Sequence, residues 1–505
     1  MENIMEQNLM KLQNGSDVRG IALEGVADEH VNLTENACNR IGQAFAIWLS
    51  KKCGKSITDL KIGIGRDARV TGPALLKATA AGMASTGAKV YDCGLATTPA
   101  MFMSTVFDQT KYDGSAMLTA SHLPFNRNGI KFFDVNGGLE HDDITDVLTI
   151  AQEKEESGTA DFAGSFTLLE TYSAHLKNTI AKELGAKDGD RPLSGLHIVV
   201  DAGNGDGGFF VDKILQPLGA DTTGSAFLEP DGMFPNHIPN PENKDAMKAI
   251  QNATTSSKAD LGLIFDTDVD RMSAVFSDGT EVNRDSIIAL FSAILAPSFP
   301  GSTIITDSVT SDRLTYFLEK KLGLKHLRYM RGYKNVINKC IELNSKGEVS
   351  PLAMETSGHG ALKDNYYLDD GSFLAVKLIV ALAKAKKENK KIEDLIAELP
   401  AAGVEGEYRF KIKAEDFKAY GKKVLETFKK RAEEKNFDMP ESFEGIRISF
   451  HDANAEGWML LRLSLHDPVM PLNVEGKTQK DKDAIIAYAK EMIAGFDQLD
   501  VSCLN

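Results

Sequence analysis

Two short stretches carry side chains whose types and spacing suit chemistry. Thr119-Ala-Ser-His-Leu-Pro124 sets a hydroxyl, Ser121, beside an imidazole, His122, in a tight turn directly after the apolar run Ala116-Met117-Leu118. A turn in that position aims Ser121 out of a strand end, the place from which open α/β sheets present functional groups. Such residues are also common turn formers, so the hexapeptide decides nothing alone. The second stretch, Asp266-Thr-Asp-Val-Asp-Arg271, follows another apolar run, Leu261-Gly-Leu-Ile-Phe265. Carboxylates at Asp266, Asp268 and Asp270 repel one another unless a cation compensates. They suit a hard metal such as Mg²⁺, which takes oxygen ligands at about 2.0–2.1 Å, and they leave room for a further oxygen such as a phosphate on Ser121. A solvated acidic turn is the competing reading, and the apolar run into the triplet and the closing Arg271 argue against it. An EF-hand is excluded, because Arg271 stands where its loop needs Gly and Ser277 where it needs Glu.

The elements that must position these loops follow a repeated grammar. Residues 31–53 read as a helix, with apolar Ile41, Phe45, Trp48 and Leu49 and a stop at Lys51, Lys52 and Gly54. Leu60-Lys-Ile-Gly-Ile64 reads as a strand leaving through the polar turn Gly65-Arg-Asp-Ala-Arg69, residues 73–87 as an Ala-rich helix, and Ala88-Lys-Val-Tyr91 as a returning strand, giving a βαβ unit. Leu196–Val200 and Ser302–Ile305 open similar cycles, and a loaded loop follows each opening, at Ser121, Asp266 and Glu355 in turn. Three related α/β modules are therefore expected at about 1–164, 165–285 and 286–400, each offering a loop to a common cleft. The Gly-rich stretch Asp201-Ala-Gly-Asn-Gly-Asp-Gly-Gly208 is better explained by a tight strand exit than by a dinucleotide loop. The Lys- and Glu-rich segment 386–400 reads as a solvated helix face. Beyond it, strands at Tyr408–Ile412, Gly445–Phe450 and Trp458–Ser464 and helices near 414–435 and 480–497 predict a C-terminal α+β module at 401–505.

Composition bounds the function. A chain of 505 residues exceeds a single core, and its net charge of −15 argues against nucleic acid while requiring any anion site to bring its own cations. Cys38, Cys53, Cys93, Cys340 and Cys503 are scattered, with no zinc or disulfide spacing. No run approaches the roughly 18 apolar residues of a membrane span, and no signal-type core is present, so no membrane partner is expected and a cytoplasmic location is the default. No heptad or large apolar stripe argues for an oligomer.

The loops resemble those of the α-D-phosphohexomutase superfamily, phosphoglucomutase/phosphomannomutase type, whose serine loop reads Thr-Ala-Ser-His-Asn-Pro and whose metal loop reads Asp-x-Asp-x-Asp-Arg. The likeness continues through Asn14–Gly20, Gly65–Arg69, Phe234-Pro-Asn-His-Ile-Pro-Asn-Pro-Glu242, Glu355-Thr-Ser-Gly-His359 and Arg462-Leu-Ser-Leu-His-Asp-Pro468, in family order. It implies a fold of three related mixed α/β domains plus a C-terminal α+β domain around a central cleft. It also implies Ser121 as the phosphorylated donor, Asp266, Asp268 and Asp270 with the serine's oxygen as Mg²⁺ ligands, and Arg271 beside the transferring group. Candidates for proton transfer are His122, Lys131 and His359; in the family the lysine matched by Asn128-Gly-Ile-Lys131 is an acid/base group, supported by Arg19. Glu355, Ser357 and His359 match the sugar loop, and Arg462 and Ser464 the phosphate loop of the fourth domain.

The expected activity is interconversion of hexose 1-phosphate and 6-phosphate through a phosphoserine and a hexose 1,6-bisphosphate, which also serves as activator. Departures from the family pattern fall at Leu123, Met354, Leu465 and His466, and His466 is inferred to take over one phosphate contact. Arg331-Gly-Tyr-Lys334 sits where the family places a cleft lysine. A Mg-dependent sugar-phosphate phosphatase and a catalytically silent sugar-phosphate sensor are the rival readings.

Overall fold

The computed structural model describes residues 8–504 apart from 452–453 and 465–466. The chain divides into two compact units, one formed by Met1–Asn283 with Ser357–Ile392 and the other by Arg284–Thr356 with Glu393–Asn505.

In the first unit, the strand Lys61–Arg66 lies parallel to Lys89–Leu95 on one side and to Gly114–Leu118 on the other. Gly114–Leu118 pairs antiparallel with Arg127–Asp134, which in turn pairs with Asp17–Ile21. The helices Glu35–Cys53 and Gly72–Ser85 cover this sheet, and their crossing is set by two glycines. A Cβ on Gly42 would sit 2.2 Å from the Thr79 carbonyl oxygen and one on Gly82 would sit 1.9 Å from that of Asn39, so neither position admits a side chain. Thr34 caps the first helix by accepting from Ala37 N–H, and Gly54, in the left-handed region, ends it. A second sheet sets Ile198–Asp201 parallel to Leu261–Phe265, which pairs antiparallel with Met272–Phe276. The apolar runs read from sequence are thus central strands, buried along their whole length at Gly114–Leu118 and Leu261–Phe265, so that the loops leaving them start from rigid positions.

In the second unit, Thr303–Thr306 is flanked in parallel by Lys325–Arg328 and Leu352–Met354. A separate antiparallel sheet runs Ile446–His451, Glu456–Leu461, Val469–Gly476, Val404–Ile412 and Leu499–Asp500. The helices Phe417–Glu434 and Gln479–Met492 bury Val424, Phe428, Ile485 and Ala489 with Phe410, Met459, Leu461, Met470 and Leu472 of that sheet. Alternation then turns Arg447, Trp458, Leu460 and Asn473 to the opposite face, where Arg447 pairs with Asp312 at 2.9 Å and stacks over Trp458. The expected fold class, mixed α/β modules followed by an α+β module, is the one observed.

Two expectations are displaced. The charged segment 386–400 is not a continuous helix: the helix is Gly371–Lys387, followed by a short 3₁₀ turn at Ile392–Ile396. Phe373, Leu374, Leu378, Ile379 and Leu382 are buried and fix the helix ahead of the charged stretch, whose Asn389 adopts a left-handed conformation that stops it. The strand expected at Trp458–Ser464 likewise ends at Leu461, leaving Arg462 and Ser464 in the following loop. None of the five cysteines, all among the described residues, forms a disulfide. Among the described residues no helix is long and apolar enough to cross a membrane.

A titratable latch holds the motif Phe234–Glu242 inside the first unit. His237 is buried, with Nε2 at 3.0 and 3.1 Å from the two Asp201 carboxylate oxygens and Nδ1 at 3.0 Å from the Ile238 carbonyl oxygen. Acceptors at both nitrogens require the doubly protonated ring. Burial by itself would lower the imidazole, but the Asp201 carboxylate and the Ile238 carbonyl raise it above its ordinary value. A raised folded value means that this pair's contribution to stability is complete below the ordinary value of about 6.5 and is lost as pH rises through the folded value. Thermal midpoints of the intact protein across pH 6 to 9 are expected to fall with rising pH, and His237→Gln should flatten that fall. Superimposable pH profiles for the two proteins would show that the latch is not titrating.

Candidate active site

The serine loop is built from the inside by an arginine. After the strand Gly114–Leu118 the chain turns so tightly that Ser121 adopts φ +49°, with its N–H donating to Thr119 Oγ1 at 2.9 Å. A non-glycine residue in that region is strained and needs outside support. Arg69, fully buried, supplies it. Its guanidinium donates to the carbonyl oxygens of Ser121, Leu123, Pro124 and Arg127, while Nε pairs with Asp67 Oδ2 at 3.2 Å. The exit turn Gly65–Arg69 and the loop 119–127 are thereby one unit, since the planar fork can meet several carbonyls at once.

The acidic triplet lies where this loop points. Oxygens of Asp266, Asp268 and Asp270 lie within 4.8 Å of one another, and all three residues are buried. Ser121 Oγ donates to Asp266 Oδ2 at 2.9 Å. Val269, between two of the acids, has φ +66°, a costly conformation for a β-branched residue that lets the flanking side chains converge. Burial and the neighbouring Asp270 and Asp268 push the Asp266 carboxyl well above its ordinary range. Asp270 is held below it: burial alone would raise it, but Lys131, His359 and Arg271 outweigh that effect. Lys131, on the strand Arg127–Asp134 opposite Met117, donates to Asp270 and lies 3.6 Å from Asp268. Thr98 Oγ1 donates to Asp268, and Arg271 N–H to Asp266 Oδ1 at 3.2 Å. One oxygen each of Asp268 and Asp270 is buried with no hydrogen-bond partner. Orphaned carboxylate oxygens in an all-oxygen cluster are the donor set a hard divalent cation requires, so the residues fit a metal of the Mg²⁺ kind.

Other expected residues separate into two groups. In the first unit, Arg19 donates to the Thr119 carbonyl at 3.1 Å and pairs with Asp17 at 2.9 Å. The Nδ1 atom of His122 is 3.3 Å from Ser121 Oγ. Burial, then Arg271, His359 and Arg19, push the His122 imidazole down to about 2, so it is neutral and a poor proton carrier at ordinary pH. His359 Nδ1 is hydrogen-bonded to the buried Asp369 and is 3.9 Å from Asp270. Ser357 is buried in the same unit, its Oγ without a partner. Glu355, Arg462 and Ser464 belong to the second unit. There Glu355 is buried and accepts the Gly332 N–H at 2.7 Å, and Ser464 Oγ accepts the Asp467 N–H at 3.2 Å. His466 and Leu465 lie outside the described residues.

Comparison with known proteins now bears on this geometry. The chain matches the family models for phosphoglucomutase/phosphomannomutase α/β/α domain I over residues 10–158, domain II over 170–279 and domain III over 283–402. It is 30% identical over 470 residues to a phosphoglucomutase of Neisseria gonorrhoeae, covering 92% of each chain. The chain belongs to the phosphoglucomutase/phosphomannomutase family. Another family relative, a phosphoglucomutase/phosphomannomutase of Thermococcus kodakarensis, is 30% identical over 478 residues, covering 93% of this chain and 95% of its own. A crystal structure of a phosphoglucomutase/phosphomannomutase family protein from Burkholderia thailandensis superposes with a TM-score of 0.77 at 25% identity, over 97% of this chain and 99% of that one.

Sequence reasoning about this family member missed four supporting residues. Arg69 and Asp67 passed as a polar turn, Thr98 carried no motif, and Asp369 stands ten residues beyond His359. Gly205 of the Asp201–Gly208 stretch has its reason here too: a Cβ on it would come within 2.7 Å of the Thr267 backbone, and Asp206 N–H donates to the Thr267 carbonyl at 2.8 Å. Gly205 and Asp206 buttress the acidic loop.

Arg69→Met should cost about 3–5 kcal/mol, because it leaves Asp67 buried and unpaired. It should appear as a lower denaturation midpoint with faster amide hydrogen exchange across residues 121–127. Unchanged exchange in that loop would mean that the turn holds itself without the guanidinium.

Proposed function

We propose that this chain is a phosphohexomutase interconverting hexose 1-phosphate and hexose 6-phosphate, glucose or mannose, through a phosphoserine at Ser121 and a hexose 1,6-bisphosphate intermediate that also keeps the serine charged. The observation that carries the reading is the Ser121 hydroxyl 2.9 Å from Asp266 inside a buried cluster of three carboxylates. An alcohol is a poor phosphoryl carrier in water, and phosphoryl transfer gains mainly from positioning and charge cancellation. Asp266, Asp268 and Asp270, with the oxygen on Ser121, would hold Mg²⁺, whose contribution when bound is to neutralise the phosphoryl oxygens.

The chain's own groups do the rest. Arg69 holds the serine loop at the transfer angle. Arg271, held over the triplet, draws on the transferring phosphoryl oxygens. In the forward half-reaction the phosphoserine P–O bond breaks as the sugar oxygen bonds to phosphorus, the sugar hydroxyl gives up its proton, and the serine oxygen recovers one. Lys131, hydrogen-bonded to Asp270 and supported by Arg19, is assigned that proton traffic together with His359, which Asp369 orients; the neutral His122 shapes the turn. Glu355, Ser357 and His359 bind the sugar hydroxyls, and Arg462, Ser464 and His466 the distal phosphate. The reverse half-reaction repeats these steps after the bisphosphate has turned over. The same reading assigns four domains at 1–164, 165–285, 286–400 and 401–505, a hexose phosphate as partner rather than nucleic acid, and a cytoplasmic location.

Incubation with Mg²⁺, glucose 1-phosphate and a trace of glucose 1,6-bisphosphate should yield 6-phosphate with little inorganic phosphate. Inorganic phosphate as the main product would make the protein a phosphatase, and binding without turnover would make it a sensor. Ser121→Ala should abolish turnover while leaving the thermal midpoint near that of the parent; retained turnover would remove the serine from the mechanism. Thr98→Val should weaken cation affinity roughly 10–100-fold, read by Mn²⁺ titration calorimetry, because it deletes the donor that orients Asp268.

A further inference from the structure

In the second unit the carboxylate Glu355 directly follows a parallel strand, and the neighbouring strand runs into a second carboxylate, Asp307, to which no motif assigns a role. Thr303–Thr306 and Leu352–Met354 are in register with Thr306 opposite Met354, so Asp307 and Glu355 leave the sheet side by side. The carboxyl ends of strands in such a sheet are where ligand-binding groups are presented. Both residues are buried, Asp307 completely. Neighbouring carboxylates away from water repel, and each needs hydrogen-bond donors of its own. Glu355 takes the Gly332 N–H at 2.7 Å. Asp307 turns both of its oxygens on the residue after Glu355: Oδ2 accepts the Thr356 hydroxyl at 2.8 Å, and Oδ1 accepts the Thr356 N–H at 3.4 Å.

Thr356 is itself buried, and it fills the x of the Glu-x-Ser-Gly-His loop. A carboxylate that meets the hydroxyl and the N–H of one residue fixes both its side-chain rotamer and its peptide plane. That peptide is the one joining Glu355 to Thr356. Glu355 is thereby held twice, its carboxylate by Gly332 and its peptide by Asp307. Asp307 is braced in turn. Its carbonyl oxygen accepts the Thr310 hydroxyl at 3.2 Å, and the carbonyl of the next residue, Ser308, accepts from Arg447 at 3.2 Å.

Resting on the mutase reading above, in which Glu355 binds sugar hydroxyls, we propose that Asp307 is a positioning residue for that contact, acting through Thr356 to set the direction of Glu355. Its role is indirect, because both of its oxygens are spent on Thr356. A sugar contact made alike in ground and transition states acts on KM more than on kcat, so a loss of aim should fall chiefly on binding.

Steady-state kinetics on the full chain test this with glucose 1-phosphate, Mg²⁺ and glucose 1,6-bisphosphate, alongside equilibrium binding of glucose 6-phosphate. Asp307→Asn keeps the volume but sets an amide NH₂ against one of the two Thr356 donors, and Thr356→Val keeps the branched shape but deletes the hydroxyl. Each should raise KM and the glucose 6-phosphate Kd by about 10-fold, the scale of a lost hydrogen bond to a charged group, with a much smaller change in kcat. Thr356→Ser, which keeps the hydroxyl, should stay near the parent. Since both changes act on one contact, the double variant Asp307→Asn with Thr356→Val should be no worse than the worse single variant. Unchanged KM and Kd in Thr356→Val would overturn the proposal, and a lowered melting temperature beside them would mark the contact as purely structural. Equal damage in the Val and Ser variants, or a double variant whose effect is the product of the two singles, would overturn it as well. If Asp307→Asn does not fold, the comparison of Val with Ser at position 356 decides alone. A parent protein that binds glucose 6-phosphate without turnover would count against the mutase reading only, because the Kd comparison still decides the role of Asp307; a parent that binds no hexose phosphate would end both.

Discussion

Three buried carboxylates, one of them hydrogen-bonded to a serine, are the constraint that the rest of the first unit answers. Each ion would cost several kcal/mol to desolvate alone, and the three repel one another. The surrounding chain supplies partial answers from far apart in sequence: Lys131 to Asp270, Thr98 to Asp268, the Arg271 N–H and the Ser121 hydroxyl to Asp266. The compensation stops short, since oxygens of Asp268 and Asp270 have no donor. A cluster left under-neutralised in this way is poised for a cation and for the anionic group that cation attracts, which is what phosphoryl transfer requires.

Holding that arrangement needs backbone held in costly conformations. Ser121 and Val269 both sit at positive φ, on the two loops that meet. Such strain persists only where the surroundings over-determine it. Arg69 does so for the serine loop through its four carbonyl contacts, and the glycine-rich turn at Gly205 does so for the acidic loop by packing against the Thr267 backbone. Under the proposed mechanism such rigidity would serve the transfer, because a reacting group displaced by about 1 Å loses much of its rate advantage.

In the second unit the same problem appears with the sign reversed. Arg447 pairs with Asp312 and lies over the Trp458 face, and so fastens the antiparallel sheet to the helix that begins at Asp312.

Much of this was local enough to be legible in the residues themselves. The apolar runs 116–118 and 261–265 announced buried strands, the turn residues after them announced loops, and the motifs in order announced the family and its fold class. Ser121, Asp266, Asp268, Asp270, Lys131 and Arg271 were named from motif alone, and the structure brings them together. What tertiary structure alone decided is how the cost of gathering them is met. The four carbonyls that the Arg69 guanidinium meets lie more than fifty residues away, and backbone carbonyls carry no sequence signature. Thr98, Asp369 and the neutral state of His122 likewise depend on burial and on neighbours from other elements. Periodicity and turn chemistry are properties of adjacent residues, so the chain displays them along its length; desolvation and charge pairing are properties of a folded neighbourhood, and exist only once distant segments share it.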